Sequence, residues 1–94
     1  MSNMKAAHIY TDAVVYTKPC YINALYISMD TNATTDVYAY DNNLAVSGTL
    51  AFGVDPSAQG IFTVLIPEPG ILCEKGLAVR KGSSHSVTVL YTPL

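Results

Sequence analysis

The side chains of this 94-residue chain that can carry catalytic or metal-binding chemistry are few: His8 and His85, Cys20 and Cys73, and five aspartates with two glutamates. Neutral imidazole and carboxylate suit zinc, so His8, Asp12 and His85 make one conceivable metal set. The two histidines stand near opposite ends of the chain, and no short ligand spacing joins either to a partner. Two solvated histidines are the simpler reading. Ser83 or Ser84, with His85 and an aspartate, would supply the parts of a nucleophilic triad. The Gly-x-Ser-x-Gly elbow that positions such a serine is absent, and Gly82-Ser83-Ser84-His85 has the composition of a plain turn. The six glycines are spread one per turn, so no phosphate cradle forms either.

Cys20 and Cys73 are the only cysteines. A disulfide between them would close a loop long enough to stabilise the fold by about 4 kcal/mol in the chain-entropy model. The alternative is two reduced, buried thiols acting as small apolar side chains. The second suits a chain with no signal segment: after Lys5 the stretch Ala6-Ala7-His8-Ile9-Tyr10-Thr11-Asp12 is interrupted too early for a secretory leader. With Met1 at its start, the sequence reads as a complete product of the cytoplasm. No apolar run approaches the roughly 20 residues that span a bilayer. Cofactors are not implied.

Composition says more than the reactive residues do. The chain is 50% hydrophobic and 13% charged, against about 25% charged in an average globular domain. One small domain has a large surface and, here, few charges to cover it. That surplus of apolar surface predicts a partner, most simply further copies of the same chain. The basic residues Lys5, Lys18, Lys75, Arg80 and Lys81 are scattered and the net charge is −2. Neither nucleic acid nor an anionic membrane is a predicted partner.

The elements between the turns read as strands. Ala7–Thr17, Tyr21–Met29, Asp36–Asp41, Thr49–Phe52, Ile61–Ile66, Leu77–Arg80 and Ser86–Thr92 are rich in Val, Ile, Thr and Tyr, with Gly, Pro, Asn, Asp and Ser between them. The pattern predicts an all-β fold: one small antiparallel β-sandwich or jelly-roll-like domain of about 7–8 short strands over residues 8–94, preceded by a flexible arm, 1–7. Ile71–Cys73 is a short apolar piece, and Glu74-Lys75-Gly76 reads as the turn of a hairpin into Leu77–Arg80. Ile61–Ile66 is apolar on both faces, which predicts a central strand. The expected core is Ile22, Leu25, Ile27, Val37, Phe62, Val64, Val79, Val87 and Val89.

Seven tyrosines and no tryptophan accompany these strands. Strict alternation places Tyr10, Val14 and Tyr16 on one face of the first strand, and Tyr38 and Tyr40 together on one face of another. These five are the candidate interface residues, since tyrosine pairs an apolar ring with a wet hydroxyl. Stacked on a sugar, Tyr16, Tyr38 and Tyr40 would instead make a carbohydrate platform.

The succession Ile22-Asn23-Ala24-Leu25-Tyr26-Ile27, Thr35-Asp36-Val37-Tyr38-Ala39-Tyr40-Asp41, Ile61-Phe62-Thr63-Val64, Gly76-Leu77-Ala78-Val79 and Val87-Thr88-Val89-Leu90-Tyr91 resembles the small β-sandwich virion proteins of tailed bacteriophages. The likeness spans about residues 20–92 and includes no catalytic motif. It implies a non-enzymatic capsid decoration (cement) protein, made in the host cytoplasm and located in the virion. Such a protein self-associates, a trimer being favoured, and binds the major capsid protein or another virion protein. The alternative is a carbohydrate- or receptor-binding β-module, for example of a tail or fibre.

Overall fold

A computed structural model of the chain describes residues 3–29, 37–54, 60–82, 84 and 86–94. Within these the fold is all-β, with two antiparallel sheets packed face to face. The strands are β1 (Lys5–Ile9), β2 (Ala13–Tyr16), β3 (Cys20–Met29), β4 (Val37–Asp41), β5 (Thr49–Val54), β6 (Gly60–Leu65), β7 (Ile71–Cys73), β8 (Leu77–Arg80) and β9 (Ser86–Pro93). The larger sheet runs β1-β9-β3-β6, with β7 also paired to β3; the smaller runs β2-β8-β4-β5.

Set β7 aside and the pairing nests. β1 pairs with β9, β2 with β8, β3 with β6 and β4 with β5. Successive pairs fall in alternate sheets, as when one long antiparallel ribbon is wrapped around a core. This is the strand order of a jelly roll.

The core lies between the sheets. Ile22, Leu25, Ile27, Val87 and Val89 of the larger sheet face Val37, Leu77 and Val79 of the smaller, all fully buried. Seven of the nine expected core residues are among them. The other two, Phe62 and Val64, are half-buried and pack against the core from its margin. The reason is their strand: β6 ends its sheet rather than lying in its centre. Its inward residues still meet the core, while Ile61 is 76% and Leu65 71% exposed.

Bulges decide which side chains turn inward. Along β3 the register shifts between Ile22 and Ala24. An extra residue in one strand reverses the alternation beyond it. Cys20 and Ile22 before the bulge and Leu25, Ile27 and Met29 after it therefore all point into the core. A second irregularity, between Val14 and Tyr16, turns Tyr16 inward to stack on Tyr91 with ring centroids 5.2 Å apart.

Three local expectations are corrected. The run Ala7–Thr17 is two strands in different sheets, because the chain crosses over at Tyr10–Asp12. The Asp12 carboxylate fixes that crossing by accepting a hydrogen bond from the Lys81 backbone N–H at 2.9 Å. Lys5–Ala7, within the stretch read as an arm, already pair with Tyr91, Leu90 and Val89. Residues 74–76 do not make a hairpin, since β7 and β8 belong to opposite sheets. They form a crossing turn, held by the Asp41 carboxylate.

Candidate functional site

Of the residues with reactive chemistry, His8, Asp12 and Ser84 each make a structural hydrogen bond. His8 Nδ1 and the Thr88 hydroxyl share a hydrogen bond across β1 and β9. Asp12 is engaged by Lys81. Ser84 is buried and donates its hydroxyl to the Lys81 carbonyl at 2.7 Å, closing a turn. Ser83 and His85 lie outside the described residues. Among the described residues no three His, Cys, Asp or Glu side chains come together as a metal site.

Asp41 is the most heavily used acid. Its carboxylate accepts from the backbone N–H groups of Lys75 at 2.8 Å, Glu74 at 3.1 Å and Gly76 at 3.4 Å. Partial burial works against its charge, but the three donors and the nearby Lys75 outweigh it. The carboxyl titrates below the ordinary aspartate range.

Cys20 and Cys73 face each other directly across β3 and β7, both fully buried and both free thiols. The two thiols share a side-chain hydrogen bond. That bond holds Cys20 below the usual thiol range and, with burial, pushes Cys73 well above it. Burial and the neighbouring Cys20 and Tyr16 also raise Tyr91.

The five tyrosine and valine positions proposed as interface separate into three places. Val14, Tyr38 and Tyr40 share the outer face of the smaller sheet, where Val14 and Tyr40 flank Ala78 on β8. Tyr38 and Tyr40 meet edge to face at 6.1 Å, and the Arg80 guanidinium lies 5.7 Å from the Tyr38 ring centre. Gly53 makes room for that ring: a Cβ there would sit 2.7 Å from Tyr38. Tyr10 lies elsewhere, 59% exposed and edge-on to His8 beside the larger sheet. Tyr16 is half-buried and packs against the core beside Tyr91.

The feature that sequence patterning missed is the outer face of the larger sheet. The register puts Ile61, Thr63 and Leu65 of β6 beside Ser28, Tyr26 and Ala24 of β3. Ala24 and Tyr26 in turn lie beside Leu90 and Thr88 of β9, and those beside Ala6 and His8 of β1. Leu72 of β7 extends the face next to Tyr21. No Asp, Glu, Lys or Arg occurs among these outward residues, and Ile61, Leu65, Leu72 and Tyr26 are all exposed. The signal was present as a β6 run apolar on both faces, which suits a strand covered by another chain as well as a central one.

No protein-family model, curated protein or solved structure matches the chain.

Proposed function

We propose that this chain is a non-enzymatic assembly protein that associates with copies of itself through the outer face of its larger sheet. The observation that carries the proposal is the uncharged apolar stripe of Ile61, Leu65, Leu72 and Tyr26, on a sheet whose edge strand is β6. An exposed apolar edge without lysine or proline is what monomeric β-proteins avoid. The occupant that suits it is a second copy. A face without charged side chains packs against another copy without like-charge repulsion, and it offers no ion pairs by which a charged partner would be selected.

Within that class, the specific role proposed is capsid decoration in a tailed bacteriophage, with the major capsid protein or another virion protein as the second partner. The support is the sequence resemblance over residues 20–92 together with a jelly-roll strand order, an architecture used by viral coat domains. Under this reading the larger sheet joins the decoration subunits, a trimer being the favoured form, and the Tyr38–Tyr40–Arg80 face of the opposite sheet meets the capsid lattice.

The same architecture serves lectin domains, and fold alone does not choose a function. The paired tyrosine rings beside Arg80 favour a carbohydrate-binding module as the second reading. Co-sedimentation of the purified chain with expanded phage capsids, run beside a glycan array, separates the two. Saturable capsid binding that is lost in Tyr38→Ala is the expected result. Glycan binding without capsid binding would replace decoration with the carbohydrate reading.

A further inference from the structure

We propose that Cys20 and Cys73 form a reversible disulfide site, closed by low-molecular-weight disulfides such as oxidised glutathione, that staples the short strand β7 to the central strand β3. The two residues are register partners in an antiparallel pair. Directly opposed residues in such a pair have Cα atoms about 4.5–5.5 Å apart, inside the window of about 4.4–6.8 Å that a disulfide spans. The backbone spacing of such a pair is therefore compatible with a cross-link. The thiols are already in contact, and both are reduced in this structure.

Access comes from β7 itself. It has three residues, pairs with β3 alone among the described strands, and lies between the turns at residues 67–70 and 74–76. A short strand at a sheet margin opens at far less cost than the whole fold. On opening, one cysteine thiolate attacks a sulfur of glutathione disulfide. The S–S bond of the reagent breaks, a mixed disulfide forms, and glutathione thiolate leaves and takes up a proton. The second cysteine then attacks the protein sulfur of the mixed disulfide and expels the second glutathione. One glutathione disulfide is reduced to two glutathiones, and two protein thiols are oxidised to one disulfide.

The test equilibrates the full native chain with glutathione redox buffers, quenches with acid, alkylates under denaturing conditions and weighs the product. The expected product has lost two hydrogens, takes up no alkylating agent, and regains both thiols with dithiothreitol. Its thermal midpoint rises by roughly 10–30 °C over the reduced chain. At a given buffer ratio, the closed fraction of the folded chain exceeds that of the urea-unfolded chain. Cys20→Ser and Cys73→Ser chains show no loss of hydrogen. Three results would overturn the proposal: two alkylatable thiols persisting in oxidising buffer, a product stalled as the glutathione adduct, or equal closure in folded and unfolded chains.

Discussion

At the scale of single residues, Asp12, Asp41 and Ser84 each hold a turn or crossing through a hydrogen bond to the backbone. Asp41 shows this best, because one carboxylate satisfies three backbone donors where the chain passes from β7 to β8. Asp41→Ala is expected to cost about 1–2 kcal/mol in a denaturant titration, since it leaves those donors without their charged acceptor. The pH dependence follows from the lowered pKa. The stabilisation is fully present above the ordinary aspartate value of about 3.9. It is lost as pH falls through the lower folded-state value. Stability below about pH 4 should therefore decline more steeply in the native chain than in Asp41→Asn, and parallel slopes would assign the acid sensitivity elsewhere. Gly70 is a second sharp case, with φ at +107° and a would-be Cβ 2.4 Å from the Ile22 carbonyl oxygen. Gly70→Ala must distort either the turn or β3. It should cost about 2–4 kcal/mol by thermal or chemical unfolding, and a loss under 0.5 kcal/mol would mean that the turn readily moves away.

At the scale of elements, position in the sheet sets the energetic weight of a strand. Leu25 lies in central β3 and is fully buried, so Leu25→Ala should cost about 3–4 kcal/mol. Phe62 is larger but half-buried on edge strand β6, and Phe62→Ala should cost less, about 1–3 kcal/mol. The reverse order in unfolding midpoints would place β6 inside the sheet after all. The sequence makes β3, β4, β8 and β9 legible, because their Val, Ile and Tyr runs are bounded by turn residues. It hides the split between β1 and β2, where no Gly or Pro lies between Ile9 and Ala13 and only tertiary pairing separates them. It also hides the bulges at Asn23 and Val15, which reverse the faces that strict alternation assigns. Tyr16 reads as a surface residue for this reason, yet it stacks on Tyr91. Of the candidate site, the grouping of Tyr38 with Tyr40 and Val14 follows from period-two spacing plus pairing with β8. The apolar outer face does not follow, because whether Ile61 and Leu65 are covered depends on strand order, and strand order is set by contacts far apart in sequence.

At the scale of the whole molecule, the low charge content finds a location. A 94-residue jelly roll has two outer sheet faces, and one of them carries no Asp, Glu, Lys or Arg among its described strand residues. Composition alone predicted surplus apolar surface; the fold groups Ile61, Leu65, Leu72 and Tyr26 on β6, β7 and β3, while Met4, Tyr10, Leu44, Leu50 and Leu94 are exposed elsewhere. Ile61 and Leu65 contribute little to the core, so Ile61→Lys with Leu65→Lys should change the unfolding free energy by less than about 1 kcal/mol while disrupting any contact made through that face. Sedimentation velocity on the native chain and this double variant at matched micromolar concentrations tests the central claim most directly. The expected result is an oligomer for the native chain and a folded monomer for the variant. A native chain that stays monomeric at every concentration, or a variant that assembles as well as the native chain, would contradict it.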